Sequence, residues 1–475
     1  MTPSPLAARV LLPGFVGTEL PDWLAARLRN GLAGVCIFGG NITSRAQLRE
    51  LTSEIYAANP DALIAIDEEG GDVTRLYFDV GSPYPGNAIL GRIDDEALTE
   101  RVAETVGWQL RRTGVNLNFA PDVDINSNPD NPVIGVRSFG TDPALVARHS
   151  AAWTRGLQST AVAVSAKHFP GHGDTAQDSH LALPVVDVPL AELRERELVP
   201  FVASIAAGAK TIMTSHILLP QLDADNPATF SRRILGDLLR DDLGFTGVIV
   251  SDALDMVGAS GELGIPEAAV RAIAAGCDLL CIGTNNTDDE LESIERALDA
   301  AVTAGRLHGA RLAAAGDRNV ALARELAAAA SARPIEGADD EPEFDVALTA
   351  SAFDIAPGVA VEADRTLVSV ETVANIAVGT APWGPTVAAR VHEGGSLPEV
   401  AGQLVIVGKD NHRHGWVREL IEGARTAHPS VIVVDMGWPG DDRAYADIAT
   451  FGASKHVSRA LVAWLEGAPR VRVSE

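Results

Sequence analysis

The chain has 475 residues, of which 46% are apolar and 21% are charged, and its formal net charge at pH 7 is −26. These proportions are typical of a folded globular chain, and the length favours two domains. The acidic residues are spread along the chain with no basic stripe to offset them. We therefore expect neither nucleic acid nor an anionic membrane as a partner.

The cysteines and the N-terminus bear on the location of the protein. Cys36, Cys277 and Cys281 lie inside apolar runs, where cysteine behaves as a small hydrophobic residue. A metal pair formed by Cys277 and Cys281 is the alternative, but no second cysteine pair completes a tetrahedral set. The N-terminus lacks a basic segment followed by a long apolar core, and no run reaches the length of a membrane span. We expect a cytoplasmic protein without a metal or other cofactor.

From residue 9 to about residue 330, short apolar runs alternate with amphipathic segments. The runs are, in chain order, RVLLPGF, AGVCIFG, ALIAIDEEGG, VNLNFAPDVDI, AVAVSAKHF, KTIMTSHI, GVIVSDAL and CDLLCIG. Helical candidates lie between most of them, at residues 94–113, 143–159, 190–207 and 267–275. About eight strand–helix units in about three hundred residues favour a parallel (β/α)8 barrel over an open doubly wound sheet. The predicted fold class is α/β, with the barrel over residues 1–330.

The next stretch of the chain has the composition of a domain boundary. A linker is predicted at residues 331–345, where SARPIEGADDEPEF combines prolines with clustered acids. Beyond it, LVSVETV, ANIAVG, QLVIVGK and SVIVVDMG are strand-like, with helical pieces at residues 415–427 and 457–465. A second, smaller α/β domain is therefore predicted over residues 346–475.

Polar residues gather at the ends of the apolar runs in the first domain. They are Asp67, Asp122, Lys167, His216 and Asp252. Because the C-terminal ends of barrel strands converge on one mouth, we expect these residues to share one site. A GxxxxGK[ST] motif is absent from the sequence, and GHGDTA does not open an apolar helix, so a nucleotide phosphate site is not predicted.

The run GVIVSDALDM places Asp252 at the end of a short strand. A carboxylate at the mouth of a barrel can serve as a nucleophile. The alternative is a structural one, because Asp at a strand-to-helix turn commonly caps the next helix. Asp255 is the competing carboxylate, and we expect it to face the following helix.

The stretch KHFPGHGDTAQDSH, from Lys167 to His180, follows the predicted fifth strand. Asp178 and His180 are two residues apart, so in extended backbone their side chains point to the same side. A carboxylate in contact with the imidazole would orient the ring and favour its protonated form, which suits a general acid. The alternative is a solvated loop in which the Asp caps a turn.

The same stretch offers a metal-binding alternative in His168, His172 and Asp174. Such sites usually draw ligands from several strands, and no HxH pair follows an early strand. We therefore do not predict a metal site.

Two loops carry groups that suit a polar ligand. The first is DEEGG, which begins at Asp67 and is followed by Arg75, and the second is NPVIGVRSFG, which contains Arg137. A carboxylate beside paired glycines can accept hydrogen bonds from vicinal hydroxyls, and an Arg can donate to the same kind of ligand. The alternative for each Arg is a solvated surface position.

Together these motifs resemble glycoside hydrolase family 3 and, within it, the β-N-acetylhexosaminidase (β-N-acetylglucosaminidase) branch. The matching motifs are IDEEGG, NPVIGVRSFG, KHFPGHGDTAQDSH, MTSHI and GVIVSDALDM, in the order of the family, across roughly residues 10–330. The C-terminal part, with VIVVDMGWP and TFGAS, resembles the αβα sandwich domain of two-domain members. The resemblance implies a TIM-type barrel followed by such a sandwich.

The resemblance also implies a role for individual residues. Asp252 is implied to be the nucleophile and His180 the acid/base, with Asp178 as its partner. The positions implied to bind the sugar are Asp67, Arg75, Arg137, Lys167 and His168. Glu68 and Asp72 depart from the residues common in the family, and we expect both to alter the rim near the sugar.

The implied activity is that of a retaining exo-β-N-acetylglucosaminidase, which hydrolyses a carbohydrate substrate such as a cell-wall fragment through a covalent glycosyl-enzyme. A histidine replaces the usual second carboxylate and does not repel an anion, so a phosphorylase that uses phosphate as the acceptor is the alternative within the family. A non-catalytic sugar-binding protein is the alternative of another class. The natural glycoside, whether a muropeptide fragment, a chitin oligomer or another, stays open.

Overall fold

The computed structural model describes residues 5–179, 182–261, 263–335 and 340–467. These residues form two compact units. The first consists of the described residues of Met1–Glu69, Glu96–Pro132 and Thr141–Asp340. The second consists of those of Gly70–Asp95, Val133–Gly140 and Glu341–Glu475.

The first unit contains a parallel sheet of eight strands. They are β1 (Leu11–Leu12), β2 (Gly34–Ile37), β3 (Leu63–Ile66), β4 (Leu117–Asn118), β5 (Ala163–Phe169), β6 (Thr211–Thr214), β7 (Val248–Ser251) and β8 (Leu279–Cys281). Their order is β1-β8-β7-β6-β5-β4-β3-β2. The two edge strands are linked by hydrogen bonds from the Ala33 amide to the Ala8 carbonyl (3.1 Å) and from the Cys36 amide to the Pro13 carbonyl (2.8 Å). The predicted (β/α)8 fold class is confirmed.

Helices follow most of the barrel strands, and the second unit has helices of its own. The α-helices are α1 (Pro5–Ala8), α2 (Asp22–Arg29), α3 (Arg45–Ala58), α4 (Asn87–Ile93), α5 (Glu96–Arg112), α6 (Pro143–Gln158), α7 (Leu190–Glu195), α8 (Val199–Ala206), α9 (Val257–Ser260), α10 (Ile265–Ala275), α11 (Asp288–Thr303), α12 (Gly309–Ala332), α13 (Val346–Ser351), α14 (Gly415–Ala427) and α15 (Lys455–Gly467). A π-helix spans Arg233–Asp242, and 3₁₀ turns lie at Gly39–Asn41, Gly135–Arg137, Ala228–Phe230 and Asn411–Arg413. Within the described ranges, no helix is both long and apolar enough to cross a membrane.

Local sequence explains where several of these helices begin. The Ser44 hydroxyl accepts the Gln47 amide proton at the start of α3, and the Thr287 hydroxyl does the same for Glu290 in α11. The Asp142 carboxylate caps α6, whose first residue is a proline. Side-chain acceptors at these positions satisfy amide protons that have no partner within the helix.

The barrel interior is filled by apolar side chains from the strands. Leu63, Leu117 and Val250 belong to this core, together with Cys36 and Cys281. All three cysteines are buried and unbridged, as expected for small apolar residues. Burial raises the pKa of the Cys277 thiol, which keeps it protonated and unreactive.

The second unit is built on a six-stranded sheet. Its strands are β9 (Asp354–Ile355), β10 (Arg365–Val370), β11 (Ala389–Val391), β12 (Gln403–Gly408), β13 (Val431–Asp435) and β14 (Ile448–Ala449), in the order β11-β10-β12-β13-β14-β9. All neighbours are parallel except β9, which is antiparallel to β14.

Alternate residues of β12 face opposite layers of helix. Val405 and Val407 pack in one cluster with residues of α15, such as Leu461. Leu404 and Ile406 pack in another cluster with residues of α14. Because side chains alternate across a strand, helices cover both faces, which confirms the αβα sandwich.

The division of the chain differs from a single cut at the predicted linker. The boundary at Asp340 lies within residues 331–345, but residues 70–95 and 133–140 belong to the second unit. Ala88 and Ile89 of α4 pack in the same apolar cluster as Val434 and Ile448. These contacts join residues that are far apart in sequence, so no local sequence pattern predicts them.

A buried carboxylate braces the N-terminal end of β8. Asp278 is fully buried and accepts the Ile249 amide proton at 3.1 Å. It also forms ion pairs with Arg240, with Arg311 at 3.0 Å and with Arg318 at 3.2 Å. The carboxylate thus ties β7, β8, the π-helix and α12 together on the side of the barrel opposite the mouth.

We predict that Asp278→Asn lowers the free energy of unfolding of the protein by about 3–5 kcal/mol, because it leaves partly buried arginines without their counter-charge. Asp317→Asn is the matched control. Its carboxylate is 69% exposed and pairs with Arg9, so we expect a loss of less than about 1 kcal/mol. Urea unfolding followed by circular dichroism measures both. Equal losses in the two variants would contradict the proposed brace.

Candidate active site

The predicted site residues of the barrel lie where its strands end. Asp67 follows β3, and Lys167 and His168 are among the last three residues of β5. His216 follows β6 and Asp252 follows β7. All of these strands are parallel, so their C-terminal ends share one face of the barrel.

The Lys167 ammonium lies between two carboxylates. Its Nζ is 2.7 Å from Asp67 Oδ1 and 2.7 Å from Glu69 Oε1. The side chains of Lys167 and Glu69 are 3% exposed, whereas that of Asp67 is 19% exposed. The structure therefore brings the predicted Asp67 and Lys167 together and adds Glu69, which the sequence analysis missed.

Asp124 organises the segment that ends β5. Its carboxylate accepts the backbone amide protons of His168 at 3.2 Å and of His172 at 2.7 Å. The same carboxylate lies 2.7 Å from His168 Nδ1. The contact fixes the tautomer and orientation of the His168 ring and directs Nε2 away from Asp124. Asp124 was also missed from the sequence, although it follows Asp122 by only two residues.

Asp122, Asp124 and His168 are buried and offer ligand atoms within 4.8 Å of one another. That composition suits a metal ion, but the structure gives Asp124 a hydrogen-bonding role. Its carboxylate accepts the three N–H groups of His168 and His172, and its own amide donates to Asp122 Oδ1 at 3.0 Å. These hydrogen bonds explain why Asp122, Asp124 and His168 lie close together without a metal ion.

Among the described residues, His168, His172 and Asp174, which were considered as metal ligands from the sequence, do not form one group. The His172 ring contacts Thr175 Oγ1 through Nδ1 and Ser179 Oγ through Nε2, both at 2.9 Å. Asp174 instead forms an ion pair with Arg196 at 2.6 Å. His172 and Asp174 therefore stabilise the loop, in keeping with their position among its prolines and glycines.

Burial lowers the pKa of His172 to about 4, and the nearby His168 acts in the same direction. The ring is therefore neutral near pH 7. It cannot supply a proton at that pH, and both of its nitrogens are occupied by hydroxyl groups.

Asp252 is half-buried at the end of β7. Its Oδ1 accepts the Ala253 amide proton at 2.8 Å, and its own amide donates to Thr214 Oγ1 at 3.4 Å. His216 lies beneath the same turn, with Nε2 3.0 Å from the Ala253 carbonyl and Nδ1 2.8 Å from Thr229 Oγ1. The end of β6 thus supports the turn that carries Asp252.

Asp255 does not face the following helix, so that expectation was wrong. Its Oδ2 accepts the Thr284 amide proton at 3.3 Å, in the loop after β8, and burial raises the pKa of its carboxyl group. The Asp255 amide also donates to the Ile282 carbonyl at 3.1 Å. These bonds give Asp255 a structural role and separate it from Asp252.

The predicted Asp178–His180 contact falls partly outside the described residues, because these do not include His180. Asp178 is half-buried, and its carbonyl accepts the Ala182 amide proton at 3.1 Å. The Ser179 carbonyl accepts the Gly258 amide proton at 3.2 Å, in α9. The Asp178–His180 contact stays a prediction, while Ser179, which lies between the two, is bonded to the helix that follows the Asp252 turn.

Comparison with known proteins identifies the family. The profile of the glycosyl hydrolase family 3 N terminal domain matches residues 18–322. The chain belongs to glycosyl hydrolase family 3. It is therefore a glycoside hydrolase, whose substrates are carbohydrates.

Individual relatives of this family 3 chain cover one or both units. A beta-hexosaminidase of Stenotrophomonas maltophilia (strain K279a) is 38% identical over 309 residues, which are 62% of this chain and 90% of that protein. A solved family 3 beta-N-acetylglucosaminidase from Paenibacillus sp. str. FPU-7 is 31% identical, with a TM-score of 0.87 over 99% of this chain and 98% of that one. A solved beta-glucoside phosphorylase is 20% identical, with a TM-score of 0.78 over 97% and 91% of the two chains, and shares the fold.

Two predicted sugar-binding residues of the family 3 enzyme, Arg75 and Arg137, belong to the second unit. Arg75 Nη2 donates to the Ala377 carbonyl at 2.7 Å. Arg137 is buried, and its Nη1 donates to the Val133 carbonyl at 3.1 Å. Neither is a solvated surface residue, and their role toward a sugar stays a prediction.

The two departures from the family pattern are Glu68 and Asp72, and their effect on the rim near the sugar stays a prediction. Glu68 is fully buried, and its backbone amide and carbonyl are both bonded to the side chain of Asn118. The Asp72 carboxylate accepts the Ala453 amide proton at 2.7 Å within the second unit, and burial raises its pKa.

We predict that His172 makes the stability of the enzyme depend on pH. Histidine in the unfolded chain takes up a proton near pH 6.5, whereas His172 in the folded protein does so only near pH 4. The unfolded state therefore binds more protons in this window, and stability falls as the pH drops through it. The advantage of the wild type over His172→Gln should shrink by about 3 kcal/mol from pH 7 to pH 4.

Urea midpoints at several pH values measure this difference. The control is His308→Gln, which replaces an exposed histidine at the start of α12. Its stability should follow the wild-type pH dependence. A constant difference between wild type and His172→Gln across the range would contradict the buried neutral ring.

Proposed function

We propose that the protein is a retaining exo-β-N-acetylglucosaminidase that releases terminal β-linked N-acetylglucosamine from glycosides such as cell-wall fragments or chitin oligomers. The observation that carries the proposal is the Asp252 carboxylate, held after β7 at the same face of a family 3 barrel where Asp67 and Lys167 pair their charges. The names of the relatives above, a beta-hexosaminidase and a beta-N-acetylglucosaminidase, support the choice of sugar.

Asp252 is proposed to attack the anomeric carbon. The bond from the Ala253 amide to Oδ1 holds the carboxylate in one orientation, and the bracing of the turn by His216 limits its movement. Preorganisation of this kind lowers the barrier, because little rearrangement is needed to reach the attacking geometry. The product of the first step is a covalent glycosyl-enzyme with the configuration at the anomeric carbon inverted.

The groups around Lys167 are proposed to hold the sugar. The ammonium can donate to a hydroxyl oxygen, and the partly exposed Asp67 carboxylate can accept a hydroxyl proton. His168, whose Nδ1 is held by Asp124, is proposed to bind the sugar through Nε2. A donor and an acceptor fixed side by side suit the vicinal hydroxyls of a pyranose. Arg75 and Arg137 complete the proposed set of sugar ligands.

His180 is proposed to be the acid/base, with Asp178 as its partner. Among the other histidines of the stretch from Lys167, His172 is neutral and bonded on both sides, and His168 is held by Asp124. In the first step His180 donates its proton to the departing oxygen. In the second step it takes a proton from water, which attacks the anomeric carbon and releases the sugar with overall retention.

Replacement of the two reacting groups should give different kinetic results. We predict that Asp252→Asn reduces kcat by more than about a thousandfold on every glycoside, because the nucleophile is lost. His180→Ala should cost about a hundredfold or more on natural glycosides but far less on aryl glycosides with good leaving groups, which need little protonation. Steady-state kinetics on natural and aryl glycosides gives the kcat of each variant on both substrate types.

The matched control is Asp255→Asn, because this carboxylate contacts the loop after β8 and should leave most of the activity intact. Proton NMR of the first product formed reports the anomeric configuration. Equal losses of His180→Ala on aryl and natural glycosides, or an inverted product, would count against the assigned roles.

Water is proposed as the acceptor, and a phosphate acceptor is the alternative. An imidazole acid/base does not repel an anion as a carboxylate would, and a protein named a beta-glucoside phosphorylase has the same fold. We predict free N-acetylglucosamine as the product, at a rate that does not rise with added phosphate. Product analysis with and without phosphate distinguishes the two acceptors, since formation of the sugar 1-phosphate would identify a phosphorylase.

A further inference from the structure

A groove of about 360 Å³ opens on the first unit beside the C-terminal ends of β1 and β8. Its walls are Val16, Pro21 and Trp23 from the β1–α2 segment and residues 285–289 from the β8–α11 segment. None of these residues has a role in the proposed reaction. Both segments follow barrel strands at the same face as Asp252, so the groove lies on the catalytic side of the barrel.

The walls of the groove are fixed by hydrogen bonds. Asn286 Oδ1 accepts the Gly14 amide proton at 3.1 Å, which joins the segment after β8 to the segment after β1. Asn286 Nδ2 donates to Glu290 at 2.8 Å. Arg27 of α2 donates to the Asp288 carbonyl at 2.9 Å, across the floor between α2 and α11. The groove is therefore a preformed feature of the barrel.

The groove begins next to the turn that carries Asp252. The Asp255 carboxylate accepts the Thr284 amide proton at 3.3 Å, and the Leu254 amide donates to the Cys281 carbonyl at 2.9 Å. Thr284 is followed directly by Asn285, the first groove residue of that segment. The turn that carries Asp252 is thus hydrogen-bonded to the segment that leads into the groove.

The lining has the chemistry of a site for a hydroxylated ligand without charge. The half-buried Trp23 indole and Val16, which is 70% exposed, supply apolar surface for the C–H face of a sugar ring. Asn285 is exposed and offers an amide donor and acceptor. Asp288, Asp289 and Glu290 form the first turn of α11 and make this edge acidic. Only Asp288 of the three pairs there with Arg27, so an anionic ligand would be repelled.

We propose that this groove binds the leaving-group side of the substrate and selects a neutral oligosaccharide of β-linked N-acetylglucosamine over a muramyl unit that carries a carboxylate. The proposal rests on the proposed N-acetylglucosaminidase activity and names the substrate class for it. Trp23 is the stacking surface, Asn285 binds the hydroxyl or acetamido groups, and the acidic edge disfavours anionic leaving groups.

The stacking role is tested with Trp23→Ala and with neutral N-acetylglucosamine oligomers of two to four units, compared with an aryl N-acetylglucosaminide. The measured quantity is the ratio of kcat/KM on the oligomer to kcat/KM on the aryl glycoside. We expect this ratio to fall about tenfold for the trimer, mainly through KM, because binding in the ground state is lost. The fall should be larger for the trimer than for the dimer, and Trp23→Phe should restore most of it.

Trp108→Ala is the matched control, since Trp108 is likewise half-buried but lies on α5 beside Arg111. Its ratio should equal that of the wild type. An unchanged ratio in Trp23→Ala would overturn the proposal, as would an equal loss on the aryl glycoside and every oligomer. Absence of turnover of the aryl N-acetylglucosaminide by the wild type would instead refute the proposed function.

The charge role is tested with Asp289→Lys on two disaccharides that differ only in a lactyl carboxylate on the leaving sugar. We expect the preference of the wild type for the neutral disaccharide to narrow severalfold in the variant, and the narrowing to weaken at high salt. Asp317→Lys, which makes the same charge change on α12, is the control and should keep the wild-type preference. Equal preferences in wild type and Asp289→Lys would show that the acidic edge does not select.

Discussion

The carboxylate of Asp124 holds the C-terminal end of β5, where Lys167 and His168 of the candidate site lie. It is buried, and it binds the backbone at His168 and at His172 as well as the His168 ring. A loop with two glycines and a proline has many accessible conformations, and a charged acceptor shared by two amide groups removes most of them. The backbone at His168 and His172 and the orientation of the His168 ring therefore depend on one acid from a neighbouring segment.

Charge is balanced locally at this mouth even though the whole chain is strongly acidic. Lys167 is shared by Asp67 and Glu69, and His168 faces Asp124. A buried ammonium requires such compensation, because desolvation of an isolated charge costs far more than folding can supply. The more exposed of the two acids, Asp67, is the one that can still meet a ligand. The arrangement combines a structural acid with a binding acid on a single lysine.

One part of the site could be predicted from sequence because the C-terminal ends of barrel strands converge on one mouth. Asp67, Lys167 and Asp252 each follow an apolar run that proved to be a barrel strand, so a local pattern was enough to place them. Glu69 and Asp124 were missed because their importance comes from partners about a hundred and about forty residues away. The inclusion of residues 70–95 in the second unit escaped prediction for the same reason, since α4 packs on strands that come much later in the chain.

Residues of one type serve different purposes here, and their bonded partners separate them. Asp252, Asp255 and Asp278 all lie in or beside strand ends, yet Asp278 is enclosed by arginines and Asp255 is bound to the loop after β8. Asp252 is half-buried at the mouth, where a substrate can reach it. The same reasoning excludes the neutral His172, whose two ring nitrogens contact hydroxyl groups, as the acid. A motif dense in reactive side chains marks the region of a site, whereas solvent access and hydrogen-bonding partners decide which of its members can react.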